Sequence, residues 1–211
     1  MSTTAAAAKV IDVSDLEPHV MDSRSPIWWG NLLLLCIETT MFALLVATYF
    51  YIHMNFNAWP PPRPSNSNYN THPQLGYATL NLLIILASVV PMWIADRACL
   101  RRDTVTVRRC MLAMVVIGLV TIALRFLEFD SLQFRWDDNA YAGIIWTIVG
   151  MHLLHLVTGT AENFILTLWI WKKGMDDKHA RDVRVGAVYW YWIAAIWIPL
   201  YLLIYFGPRW I

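Results

Sequence analysis

Residues 27–54 read IWWGNLLLLCIETTMFALLVATYFYIHM, and Glu38 is the single carboxyl and His53 the single basic group among them. At about 1.5 Å of rise per helical residue, this block exceeds the roughly 30 Å of bilayer hydrocarbon. It is too long for a core strand or an ordinary core helix. Backbone groups in lipid must be satisfied within the segment, which a helix achieves. Trp28 and Trp29 open the block at the depth where interfacial indoles concentrate.

Four further blocks have the same character: Leu75–Ala95, Arg109–Phe129, Tyr141–Trp171 and Gly186–Phe206. The first and fourth spans exceed the minimum and should tilt or project beyond the bilayer. Trp169 and Trp171 close the fourth, and Trp210 follows the fifth. The sequence therefore predicts an all-α membrane protein, a five-transmembrane-helix bundle at residues 27–211 behind a tail at 1–26. Asp12, Asp15, Glu17 and Asp22 make that tail acidic and solvated. Its Ala5–Ala8 run is too short for the apolar core of a signal peptide, so the tail is expected uncleaved and poorly ordered. Trp59-Pro60-Pro61-Pro62-Arg63-Pro64 cannot continue the first helix and predicts a stiff extended connection.

Composition agrees. The 211 residues are 58% hydrophobic, where soluble domains have about 45–50%, and the mean hydropathy is +0.46. A net charge of +1 without basic clusters among aromatics gives no reason to expect nucleic acid. The three cysteines form no CxxC pair, and an odd number argues against a disulfide framework. Cys36, inside the first block, is expected to pack as a small residue.

Basic residues predict the orientation. With the N-terminus inside, the inner segments hold Lys9 and Arg24; Arg97, Arg101, Arg102, Arg108 and Arg109; and Lys172, Lys173, Lys178, Arg181 and Arg184. The outer segments hold only Arg63, Arg125, Arg135 and Arg209. Inner loops carry the Lys/Arg excess, so the N-terminus is expected inside and the C-terminus outside.

Ionisable groups inside spans are functional candidates by default. Glu38 lies about 15 Å into the first span, next to Thr39 and Thr40, and is expected to be neutral or hydrogen-bonded at a subunit or lipid boundary. His152 and His155, at i and i+3, share a helix face, but a closed metal site needs three or four ligands and no nearby Cys or carboxylate completes a set. Both imidazoles are expected to bond to neighbouring helices. Arg125 and Glu128, also at i and i+3, could pair locally. Glu162 and Asn163 follow His155 by two turns. Gly150, Gly159 and Thr158 offer small surface for close helix approach. No phosphate loop, nucleophile triad or zinc signature appears, so no catalytic or metal-binding residue is assigned.

These pieces together resemble the cytochrome c oxidase subunit III family, in its five-helix bacterial form. Glu38-Thr-Thr-Met-Phe42 running to Tyr49-Phe50-Tyr51 is similar to the family's glutamate-plus-aromatic helix, and Trp59-Pro-Pro-Pro62 to the segment after it. Glu128-Phe129 resembles its Glu-Tyr/Phe pair, and Asp138-Asn139-Ala140-Tyr141-Ala142-Gly143 its Asp-Gly-x-Tyr-Gly turn. Gly150-Met-His152-Leu-Leu-His155, followed by Gly159, resembles Gly-Phe-His-Gly-Leu-His. Tyr189-Trp190 with Trp197 fits the last helix. The resemblance runs from about residue 27 to 206. Tyr191 and Ala194 replace the family's His and Asp in that helix, and Leu153 replaces the glycine between the two histidines.

The resemblance implies a subunit without redox centres in an oxidase whose haems and copper lie in partner subunits. Subunit I would be the direct partner, with subunit II beside it, and subunit IV and a respiratory supercomplex as further candidates. Phospholipid would bind in an interhelical cleft that Glu38, Glu128, Tyr141 and His152 line or brace, supporting proton uptake in a bacterial cytoplasmic membrane. His155 and Glu162 join these as proton-related candidates. A quinol oxidase subunit or a homologue accompanying nitric oxide reductase stays open. A small proton-coupled transporter using Glu38 and Glu162 is disfavoured, as no inverted repeat or broken helix pair appears. A membrane haem protein is disfavoured by the histidine count.

Overall fold

The computed structural model describes residues 25–61 and 73–210. The acidic tail and Pro62-Arg63-Pro64 lie outside the described residues. Five helices carry the fold: α1 (Pro26–Met54), α2 (Leu75–Leu100), α3 (Thr104–Ser131), α4 (Ala140–Lys173) and α5 (Asp177–Tyr201). The last continues through a π-helical stretch, Leu202–Phe206, into a final turn, Gly207–Trp210. That stretch lies between Pro199 and Pro208, each of which removes an amide donor from the i→i−4 ladder. Each helix is long and apolar enough to cross a membrane, and no strand occurs among the described residues.

Three helices outrun their apolar blocks. α2 ends five residues after Ala95, α3 begins five before Arg109, and α5 begins nine before Gly186. Apolarity marks the part of a helix in hydrocarbon, whereas caps and interfacial ion pairs decide where the helix stops. Asp103 caps α3 by accepting from the Thr106 amide (3.2 Å) and hydroxyl (2.5 Å), and those bonds hold its carboxyl below the usual carboxylate range. Asp176 caps α5 in the same way through the amide and ring of His179, which also lower its pKa. Asn139 caps α4 through the Ala142 amide at 2.8 Å. Arg102 pairs with Asp177 at 2.8 Å, Arg184 with Asp96 at 3.1 Å, and Arg108 donates to the Ile170 carbonyl at 2.9 Å. The polar first turns of α5 and α3 are thus tied to their neighbours.

α2, α3, α4 and α5 form the packed core, and α1 lies against α4 and α5. Fifteen residues of α4 are buried, but in α1 only Asn31, Phe42 and Tyr49. Leu33, Ile37 and Leu44 project from α1's outer face, and Cys36 is exposed there too. Cys36 is therefore not packed against other helices, because nothing among the described residues covers that face.

One tight helix crossing involves a glycine that the sequence reading passed over. A Cβ on Gly118 of α3 would stand 2.3 Å from Thr160 Oγ1 of α4. A Cβ on Gly159 would stand 3.1 Å from Ile193 and 3.3 Å from Trp190, tighter than most side-chain contacts. Gly150 faces open space, so it supplies no close approach.

Candidate functional site

Two clusters of hydrogen-bonded ionisable side chains lie inside the bundle. The deeper one centres on Arg125, whose guanidinium is fully buried although a span-counting argument assigned it to an outer segment. Nη1 donates to both carboxylate oxygens of Glu128 at 2.8 Å. Tyr205 donates to Glu128 Oε1 at 2.5 Å and Asn81 to Oε2 at 3.3 Å. Three helices thereby converge on one carboxylate, and the charge of Glu128 balances that of Arg125. The guanidinium carbon also lies 3.9 Å from the centre of the Trp197 ring, a cation–π contact between two fully buried side chains.

His152 completes this group. Arg125 Nη2 stands 3.0 Å from its Nδ1, and a guanidinium can only donate. Nδ1 therefore accepts, and Nε2–H donates to the Ile193 carbonyl at 3.1 Å. The two contacts assign a neutral imidazole with the proton on Nε2. Its ring stacks on Trp197 at 4.3 Å. Glu128 and His152 are both fully buried.

The second group joins α1 to α4. Glu38 Oε2 lies 3.0 Å from His155 Nε2, and His155 Nδ1 lies 2.6 Å from the Met151 carbonyl. A carbonyl only accepts, so Nδ1 carries a proton. Phe42 and Trp192 flank the imidazole, each 5.2 Å away. Trp192 donates to Thr39 Oγ1 at 2.8 Å, holding α5 against the same stretch of α1. The Glu38 side chain is 25% exposed and that of His155 only 7%, so the pair opens outward through the carboxyl.

His152 and His155 thus share a helix but not a site. Positions i and i+3 differ by about 60° around the axis, enough to aim one ring at α3 and α5 and the other at α1. Tyr141 stands apart in an aromatic cluster with Trp59 (5.0 Å), Phe134 (5.7 Å) and Tyr49 (6.3 Å). Glu162 is also apart, its carboxyl against Gly186 of α5. No group of three or more His, Cys, Asp or Glu suited to a metal occurs among the described residues.

The sequence reading missed Asn81, Tyr205 and the placement of Trp197 against Arg125. Asn81 carried a signal, being an amide in the middle of an apolar block. Tyr205 carried none, since an aromatic near a span end reads as an interfacial anchor.

Residues 9–209 match the family model described as cytochrome c oxidase subunit III. Among curated relatives, the cytochrome c oxidase subunit 3 of Petromyzon marinus is 23% identical over 194 residues, covering 89% of this chain and 72% of that one. The protein of the same name from Mus musculus is 24% identical over 84% of this chain and 68% of its own. That of Artemia franciscana is 27% identical over 84% and 67%.

Proposed function

Because the chain belongs to the cytochrome c oxidase subunit III family, we propose that it serves as an accessory subunit of a haem-copper terminal oxidase, packed against subunit I and supporting its sustained turnover. On this reading subunits I and II carry the haems and copper, and this chain contributes packing, phospholipid binding and proton supply during aerobic electron transport. The observation that carries the reading is the extent of the match, which takes in all five helices rather than one motif.

Support for a proton-related role comes from hydrogen-bond accounting at Glu38. His155 Nδ1 already donates to Met151, so the bond between Nε2 and Oε2 needs one proton of its own. That proton resides on the carboxyl, facing a neutral imidazole, or on the imidazole, facing a carboxylate. Both arrangements leave the pair with no net charge, so the proton can shift between the two without changing the charge of the pair. Glu162 is a second candidate along α4, with Tyr141 as a packing anchor.

The reading places the chain in a bacterial cytoplasmic membrane with the N-terminus inside. Burial of Arg125 supports that orientation, since it removes one of the four basic residues assigned outside and leaves Arg63, Arg135 and Arg209. Deleting the chain tests the function. The oxidase should still complete its first turnovers but lose oxygen consumption progressively over many cycles. An oxidase equally durable without the chain would contradict the role.

A further inference from the structure

One groove outside these sites has a chemistry of its own. It lies where α2 ends and α3 begins, encloses about 410 Å³, and is lined by Trp93, Ile94, Arg97, Ala98, Arg101 and Asp103. Neither the Arg97 nor the Arg101 guanidinium makes an ion pair or hydrogen bond among the described residues, although Arg97 lies over the Trp93 ring at 5.5 Å. Two unpaired guanidiniums one helical turn apart repel each other and favour an anion between them. Asp103 stays ionised, because Thr106 holds its carboxyl low, and its oxygens retain free lone pairs toward the groove.

The approach to the groove is apolar. Leu83, Val90 and Ile94 are exposed on α2, and their spacing aligns them with Arg97 and Arg101 along one helical face. From Leu83 to Arg97 that face runs about 21 Å, longer than the roughly 15 Å of one leaflet's hydrocarbon. An apolar stripe of acyl length ending at a tryptophan and two arginines has the profile of one phospholipid molecule.

We propose that this groove binds a glycerophospholipid whose headgroup carries a primary ammonium, its phosphate held by Arg97 and Arg101 and its ammonium by Asp103. A headgroup that is only anionic brings its charge against the Asp103 carboxylate, and a quaternary ammonium cannot donate a hydrogen bond to it. The phosphoethanolamine headgroup satisfies all three side chains.

The test is native mass spectrometry of the delipidated full chain in mild detergent, with phosphatidylethanolamine, phosphatidylcholine, phosphatidylglycerol and inorganic phosphate supplied separately and in competition. Phosphatidylethanolamine should be retained preferentially. Arg97→Gln with Arg101→Gln should weaken its retention on the order of tenfold. Asp103→Asn still caps α3, so the fold is kept, and it should abolish the preference for phosphatidylethanolamine over phosphatidylcholine while both still bind. Retention unchanged in the double arginine variant would overturn the site. So would a native preference for phosphatidylglycerol, or displacement of the lipid by equimolar inorganic phosphate.

Discussion

Glu38 on α1 and His155 on α4 share one hydrogen bond, Oε2 to Nε2 at 3.0 Å, across the only interface at which α1 places a carboxyl against another helix. Because His155 Nδ1–H donates to the Met151 carbonyl, the partner at Nε2 must be able to donate when the ring is neutral. Glu38→Gln satisfies that requirement through its amide. Assembly should stay intact, with at most a modest loss of sustained turnover. Glu38→Ala removes the donor and opens a gap, a cost of roughly 2–4 kcal/mol, and should weaken retention of the subunit after mild detergent extraction. If Gln instead blocked the very first turnover in a normally assembled complex, Glu38 would be an obligatory proton carrier.

The Arg125–Glu128 pair predicts a different pattern. Both side chains are fully buried, so neutralising one leaves the other uncompensated. Glu128→Gln should destabilise the bundle by about 3–5 kcal/mol. Arg125→Met combined with Glu128→Leu removes both charges and should cost less than the single change. Thermal unfolding in detergent orders the three proteins, and a double variant worse than Glu128→Gln would show that the ion pair itself is a net stabiliser.

At the α3–α4 crossing, Gly118→Ala drives a Cβ into the Thr160 side chain, whose Oγ1 and Cγ2 would lie 2.3 and 2.7 Å away. The expected loss is roughly 1–3 kcal/mol. Adding Thr160→Ala removes both of those atoms and should recover most of it. A Gly118→Ala protein melting with the wild type would mean that the two helices separate without cost.

Orientation is tested by accessibility. In a background without Cys36, Cys99 and Cys110, single cysteines beside Arg101 and Lys173 should resist an impermeant thiol reagent in intact cells. A cysteine beside Arg63 should label. The reverse pattern would place the N-terminus outside.

The five helices were legible because a lipid-crossing segment needs a long apolar block, and Ile27–Met54 shows one without ambiguity. Helix ends were less legible. Asp177 to Arg184 is charged, so it reads as a loop, yet a cap at Asp176 and the Arg184–Asp96 bond make it helical. Of the site, the local Arg125–Glu128 pair followed from spacing alone. The partners from other helices did not. Glu38 to His155 and Tyr205 to Glu128 depend on which helices are neighbours, and apolar residues on every face of a span hide that order. For the same reason the shared face expected of His152 and His155 resolved into two sites.

The accessory-subunit reading is tested most directly by purifying the tagged chain from its native membrane in mild detergent and measuring haem and copper against it. The account predicts an equimolar haem-bearing subunit that departs in harsher detergent, leaving this chain colourless. Haem retained in stoichiometric amount by the chain alone, or a chain recovered without any haem-bearing partner, would contradict it.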